Sequence, residues 1–281
     1  MIISGKKYLI TGGTGVIGYT LCKKILDMGG DVVVLSRDKN KLKKLKEKYK
    51  KIKIVVGDIC DKKLVKNTIK KVDGVFHLAA LAKGMQSGKS VESIQTNLLG
   101  SINILEESAD VDFVLGVSSD KAVQISGTYG ATKFLMEKLF KEFEQINKKT
   151  KYRVVRLGNV IYSTDSVLCK WKDLVEKGEE VIMTKHNATR FLITSDQSVD
   201  IILDCLKNAK DAKPYFKKMK SASVAQLLDG IKRKYLPDGC ELKIRRIGLQ
   251  EGENLHEKIS NQSPSSEKVE RYSNFELDGL L

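Results

Sequence analysis

Short runs of aliphatic and β-branched residues alternate with longer stretches whose apolar positions recur every three to four residues. The short runs predict buried strands at Lys7–Thr11, Asp31–Leu35, Ile52–Val56, Gly74–Leu78, Phe113–Val117 and Arg153–Leu157. Between them the spacing predicts helices over Val16–Met28, Lys39–Tyr49, Lys62–Lys70, Val91–Ser108 and Thr128–Asn147. Such alternation gives a parallel sheet covered by helices on both faces. Within Lys39–Tyr49, Leu42, Leu45 and Tyr49 share one face among many lysines, as on an amphipathic surface helix. Beyond Leu157 the pattern loosens into helices over Val167–Lys177, Asp196–Ala209 and Ser223–Tyr235, with Pro214 and Pro237 in the connections. The tail after Ile259 carries little periodic signal.

The 281 residues are 41% hydrophobic, enough to bury a full core, which excludes a disordered chain. No apolar run approaches the ~18 residues of a membrane span, so no membrane partner is expected. The N-terminal residues run directly into a strand, without a basic-then-apolar leader. Cys22, Cys60, Cys169, Cys205 and Cys240 are scattered and contain no Cys-x-x-Cys, which fits a reducing cytoplasm and offers no metal site. The net charge of +15 invites a nucleic-acid reading, but it comes from 42 lysines and only eight arginines, spread along the chain. A dedicated reader of phosphates and base edges would be richer in arginine, so no nucleic-acid partner is expected.

Chemistry first appears after the first strand. Thr11-Gly12-Gly13-Thr14-Gly15-Val16-Ile17-Gly18 joins that strand to the first helix. Gly12 permits a tight turn, Gly15 lets backbone approach a pyrophosphate, and Gly18 allows close helix–strand packing. Thr14 lies in the loop, and the helix N-terminus at Val16 and Ile17 supplies N–H groups and a positive dipole end. At the end of the second strand, Ser36 and Arg37 stand where an acidic residue would select NAD; a hydroxyl and a guanidinium favour the 2′-phosphate of NADP over NAD. Asp58, after the third strand, could meet the adenine amino group or simply close a strand-end turn.

Further along, Ser118-Ser119-Asp120-Lys121 closes the fifth strand, and Tyr129 and Lys133, four apart, share a face of the next helix. A lysine ammonium beside a phenol favours phenolate, a base able to take a hydroxyl proton. These blocks, with His77-Leu78-Ala79-Ala80, Thr96-Asn97 and Tyr129-Gly130-Ala131-Thr132-Lys133, resemble the extended short-chain dehydrogenase/reductases. Within them the chain resembles the UDP-N-acetylglucosamine 4,6-dehydratases of the C5-inverting group. Arg156-Leu157-Gly158-Asn159-Val160, Ala188-Thr189-Arg190-Phe191 and Gly252-Glu253-Asn254-Leu255-His256-Glu257 extend the likeness, which covers residues 5–260. Lys121 as second member of the acidic-lysine pair selects this subgroup, and Tyr129 favours inversion over retention.

The resemblance implies an α/β, Rossmann-like doubly wound parallel sheet with a small C-terminal α/β substrate-binding region. Residues 1–160 would hold NADP and the catalytic groups, and residues 161–281 the sugar nucleotide, with the chain crossing between the two. It implies catalytic roles for Asp120, Lys121, Tyr129 and Lys133, and cofactor contacts by Ile59, Ala79 and Ala80 besides those above. Lys83, Asn97, Ser119, Asn159, Arg190 and Glu253 would contact UDP-N-acetylglucosamine, though Asn159, Arg190 and Glu253 could instead fasten local loops. His77 reads as structural or cofactor-shaping, and the relatives imply a homo-oligomer. The chain departs from the family after Val160, where Ile161-Tyr162-Ser163-Thr164-Asp165-Ser166-Val167 replaces a Ser-Arg-Gly-Ser-Val stretch. The rival readings are another nucleotide-sugar epimerase or reductase of this fold and a non-catalytic NADP-binding regulator.

Overall fold

All six expected strands form in the computed structural model, which describes residues 3–82, 90–163, 166–250 and 252–281. They are β1 (Lys7–Thr11), β2 (Asp31–Ser36), β3 (Lys53–Val56), β4 (Gly74–His77), β5 (Phe113–Ser119) and β6 (Lys151–Leu157). Every pairing is parallel, in the order β3-β2-β1-β4-β5-β6. The order reverses between β1 and β4, and in such a sheet ligands bind beyond the carboxyl ends of the strands at that point. Leu9, Ile10, Val34 and Val75 are fully buried, because helices cover both faces.

Those helices are α1 (Val16–Asp27), α2 (Lys39–Lys48), α3 (Lys62–Ile69), α4 (Ser90–Ile94), α5 (Gly100–Glu107) and α6 (Thr128–Ile146). Asp38 and Asp61 start α2 and α3 by accepting the backbone N–H groups of Lys41 and Leu64. In α2 only Leu42 and Leu45 are buried, as an amphipathic surface helix requires. The single helix expected over Val91–Ser108 is instead interrupted: a π-helical turn, Gln95–Leu99, separates α4 from α5. Such a turn adds a residue to the helical repeat and re-aims its side chains.

The second half contributes β7 (Asn159–Val160), α7 (Val167–Glu176), β8 (Val181–Met183), β9 (Thr189–Ile193), α8 (Ser195–Asn208), β10 (Ser221–Ser223), α9 (Val224–Tyr235), β11 (Ile244–Arg246) and α10 (Asn274–Leu280). Two small sheets, β10-β9-β7 and β11-β8, pack with α7, α9 and α10 around Trp171, Val175, Leu228, Ile231 and Leu277. The helix α8 leaves this region, however. Its Val199, Ile202 and Cys205 join the core formed with Leu21 and Ile25 of α1, and Tyr215 bridges to Val155 of β6. The chain therefore crosses back onto the first sheet after residue 194, and no single cut at residue 160 divides the packing.

The tail is more ordered than its pattern suggested. Ser273 and Glu276 form a reciprocal capping box that starts α10, and Leu277 and Leu281 are buried. Among the described residues no helix is long and apolar enough to cross a membrane, and no metal-binding cluster of His, Cys, Asp or Glu occurs.

Candidate active site

Two cavities open beside the carboxyl ends of the large sheet, and Lys121, just after β5, lines the second. The first, about 340 Å³, is lined by Gly12, Thr14, Gly15, Ser36, Arg37, Asp58, Ile59, Ala79 and Ala80, with Lys41 and Thr96. Gly12 has φ +70°, and a Cβ there would lie 2.8 Å from the Ala79 nitrogen, so the turn admits glycine alone. Gly15 caps α1 without a side-chain bond, leaving the N–H groups at Val16 and Ile17 to face a ligand. Thr14 Oγ1 lies 3.1 Å from Ser36 Oγ and ties the loop to β2.

At the rim, an Arg37 guanidinium nitrogen lies 3.4 Å from Asp58 and 3.8 Å from Glu92. Asp58 also accepts the Cys60 N–H at 2.9 Å, so it closes a strand-end turn as well as lining the cavity. Burial pushes its carboxyl up, but the Cys60 bonds and Arg37 outweigh that and hold it below the usual range. His77 bridges Thr11 Oγ1 and Ser101 Oγ at 2.8 and 2.9 Å; burial, aided by the charge of Lys133, drives its pKa down to about 3. It is a neutral strut that ties Thr11 of β1 to Ser101 of α5.

The reactive side chains gather where β5 ends. Ser119 caps a short turn, Asp120–Ala122, and donates its Oγ to Asp120 Oδ1 at 2.7 Å. Asp120 is fully buried, and its Oδ2 has no hydrogen-bond partner among the described residues. The first turn of α6 packs against this segment so closely that a Cβ on Gly130 would lie 2.3 Å from the Lys121 carbonyl oxygen. Tyr129 stands beside it. Burial pushes its phenol up, opposed by the charge of Lys121 and a hydrogen bond with Ser119.

Lys133 donates to the Val117 carbonyl at 2.7 Å, and burial pushes it down to about 8 against the pull of Glu137. Lys121 thus supplies a positive charge near Tyr129 to which the sequence did not point. Glu137, one further turn along α6, accepts from Ser118 at 2.6 Å and from Arg156 at 2.7 and 2.6 Å. It braces the floor of the site and was missed in the sequence, although its spacing from Tyr129 and Lys133 places it on their helix face.

The second cavity, about 670 Å³, is lined by Lys121, Asn159, Ser163, Trp171, Arg190, Glu253 and Glu257, among others. Lys121 Nζ lies 3.4 Å from Asp120 Oδ1, 3.4 Å from Asn159 Oδ1 and 3.7 Å from Glu257 Oε1. Burial works against its charge, but Asp120 and Glu257 outweigh it and hold the ammonium above the usual lysine range. Arg190 donates to the Thr189 and Leu255 carbonyls and turns its Nε toward Glu257 at 3.9 Å. Glu253 accepts the Gln250 N–H at 3.1 Å, so it both fastens its loop and faces the cavity.

Of the expected substrate contacts, Asn159, Arg190 and Glu253 line this cavity, Ser119 is buried as the cap of the Asp120–Ala122 turn, and Lys83 lies outside the described residues. Asn97 stands apart from this cavity's lining. It is 1% exposed, and its amide is spent on the Leu81 N–H (2.6 Å), the Leu81 carbonyl (3.0 Å) and Thr132 (3.1 Å). The π-helical turn aims it inward as a strap between the loop and α6. Glu257 was unassigned in the sequence, though it ends the Gly252–Glu257 block.

A glycine-turn cavity at the sheet's switch point, joined to a Tyr-x-x-x-Lys helix, defines an extended short-chain dehydrogenase/reductase. The chain belongs to the polysaccharide biosynthesis protein family, which it matches over residues 8–277. It is 34% identical to a Methanocaldococcus jannaschii protein named an uncharacterized membrane protein, over 90% of this chain and 80% of that one. It is 30% identical to the UDP-N-acetylglucosamine 4,6-dehydratase (inverting) of Campylobacter jejuni, over 96% of this chain and 81% of that one. The UDP-glucose 4-epimerase of Rickettsia bellii matches at 30% over 98% and 84%. Among solved structures, Pen from Bacillus thuringiensis superposes with a TM-score of 0.92 and 26% identity, covering 100% of this chain and 98% of that one. The resemblance read from the motifs is thereby borne out.

Proposed function

We propose that the chain is an NADP-dependent UDP-N-acetylglucosamine 4,6-dehydratase that inverts C5, giving UDP-2-acetamido-2,6-dideoxy-L-arabino-hexos-4-ulose. The observation that carries this reading is the Asp120–Lys121 pair near Tyr129, with Asp120 fully buried and Lys121 lining the second cavity. The inverting relative in Campylobacter supports it. The first cavity fits a dinucleotide: Gly12 and Gly15 leave room for a pyrophosphate, and Ser36, Arg37 and Lys41 offer donors at its rim. Bound there, NADP would take a hydride from C4 and return it to C6, so no net oxidant is consumed.

The side chains do the rest. Tyr129 accepts the C4 hydroxyl proton, and its phenolate is favoured by the Lys121 charge. The 4-ketone acidifies C5–H, and Lys121 removes that proton. Asp120, an ionised partner of Lys121 in the resting site, receives a proton once C5 has been deprotonated and gives it, through its unpartnered Oδ2, to the departing C6 hydroxyl. Reprotonation of C5 from the opposite face inverts it. Asn159 and Arg190 would hold the sugar diphosphate and Glu253 its uridine end. The reaction would serve an early step toward a deoxy-amino sugar. A homo-oligomer in the cytoplasm suits it, in keeping with the scattered cysteines.

Incubation with UDP-N-acetylglucosamine in D2O without added reductant, followed by NMR, tests this. The expected result is loss of the C6 hydroxyl with deuterium at C5; unchanged sugar overturns it. The Rickettsia relative, named a UDP-glucose 4-epimerase, supports a second reading, in which the C4 configuration changes and the C6 hydroxyl stays.

A further inference from the structure

Lys121 is surrounded by more negative charge than a base can use. Two carboxylates and an amide oxygen lie within 3.4–3.7 Å of its Nζ, and an ammonium so held has no lone pair with which to attack C5–H. The role proposed above, on which this inference rests, therefore needs a neighbour that takes the ammonium's proton. The Asn159 oxygen is an amide. Asp120 Oδ1 already accepts from Ser119 Oγ at 2.7 Å and the Lys121 N–H at 2.9 Å. Glu257 remains. It is 1% exposed, its Oε2 accepts from Asn254 at 3.2 Å, and its Oε1 faces two cations, Lys121 and Arg190. Burial, first, and the charge of Asp120 push its carboxyl above the usual range, against the opposing charges of Lys121 and Arg190.

We infer that Glu257 takes the proton of Lys121, so that the Lys121–Glu257 pair is the C5 base, and that Arg190 governs when the transfer occurs. While Arg190 stays 3.9 Å from Oε1, it helps hold Glu257 ionised. A diphosphate oxygen of the substrate draws the guanidinium away, and the proton affinity of Glu257 rises. The proton then crosses from Nζ to Oε1. The freed amine takes the C5 proton, and the C5–H electron pair becomes the C4–C5 double bond of the enolate, with the carbonyl pair moving onto oxygen. The pair ends with one surplus proton, which passes by way of Asp120 to the departing C6 hydroxyl, so that water leaves. No oxidant or reductant enters this step. Among the described residues, the other charged or titratable groups around the pair and its cavity are Asp120 from the capped turn, Tyr129 from α6, Lys170 from α7, Arg190 from β9 and Glu253 from the same loop.

The test is Glu257→Gln, because a proton acceptor and a mere positioning carboxylate predict opposite signs. If Glu257 only positions Lys121, its loss makes the amine easier to deprotonate, and C5 deuterium exchange near neutral pH holds or rises. If Glu257 takes the proton, exchange near neutral pH falls roughly hundredfold or more. It then recovers about tenfold per pH unit as solvent deprotonates Lys121 instead. Oxidation at C4, followed in a single turnover, continues in the variant, and Glu257→Asp restores part of the neutral-pH exchange. Wild-type or faster exchange near neutral pH in Glu257→Gln overturns the proposal. A second arm needs no substrate: trace acetylation of Lys121 across pH, read by mass spectrometry, should shift to lower pH in Glu257→Gln. If the wild type leaves UDP-N-acetylglucosamine unchanged, the functional reading fails and the proton-transfer role falls with it, whereas the labelling curve tests separately whether Glu257 and Lys121 are coupled at all. An unshifted curve overturns the proposal.

Discussion

Lys133 shows how far a single side chain can be read from spacing. Its place four residues after Tyr129 is legible, but its bond to the Val117 carbonyl and its burial are not, because both depend on how α6 sits on β5. Its folded pKa of about 8 lies below its ordinary value of 10.5. Between those values the unfolded chain binds the extra proton, so folding stability gains as pH rises through that window; below it the full penalty of burying the ammonium applies. Lys133→Met removes the titration. The stability of the wild type relative to the variant should rise by about 3 kcal/mol between neutral pH and the top of the window. Urea midpoints of both proteins across pH check this, and parallel curves would refute it. Arg37 is tested differently. Its Ser36-Arg37 signature was legible at the strand end, whereas its pairing with Asp58 and Glu92 was not. Arg37→Ala should weaken NADP binding by roughly ten- to hundredfold, the worth of a charge-assisted bond, and leave NAD binding nearly unchanged. Calorimetric titration with both cofactors separates the two, and an equal loss for each would exclude a 2′-phosphate role.

The elements that carry the site are held by close approaches that leave little room for substitution. The contact of α6 with the Asp120–Ala122 turn depends on Gly130, where any Cβ would lie 2.3 Å from backbone. Gly130→Ala should cost about 1–3 kcal/mol of stability. It should also lower kcat roughly hundredfold by displacing Asp120 and Lys121 together. Thermal unfolding beside steady-state rates checks it; a variant of unchanged kcat would show that the turn tolerates the shift. The strands and most helices were legible here, because buried parallel strands are apolar throughout and the covering helices keep their period. The π-helical turn was not. Its residues Gln95–Leu99 look like ordinary helix, and only the tie of Asn97 to Leu81 and Thr132 shows that the repeat has gained a residue. α10 was overlooked for a different reason. Its signal lies in the Ser273–Glu276 capping box rather than in apolar periodicity, and it needs α9 to pack against.

At the scale of the whole molecule, the net charge of +15 acquires a structural reading once the arginines are placed. Arg153 donates to the Ala209 and Lys210 carbonyls, Arg156 grips Glu137, Arg233 pairs with Asp278 and Arg245 with Glu180. These guanidinium groups fasten the fold to itself, while Arg37 and Arg190 face the two cavities. The lysines, by contrast, are mostly solvated, as on α2. A field of this kind attracts small anions weakly and is screened within about 8–10 Å at physiological salt. The KM for a nucleotide sugar should therefore rise less than about tenfold between about 50 and 200 mM salt, because one diphosphate meets few fixed charges. A protein built to neutralise six to ten phosphates of a duplex would lose roughly a thousandfold or more over the same range. Measuring the KM for UDP-N-acetylglucosamine and the retention of duplex DNA across one salt series decides between them. A steep slope for DNA with micromolar affinity near physiological salt would return the charge to the functional account; a shallow one leaves it as a solvated surface around two arginine-lined cavities.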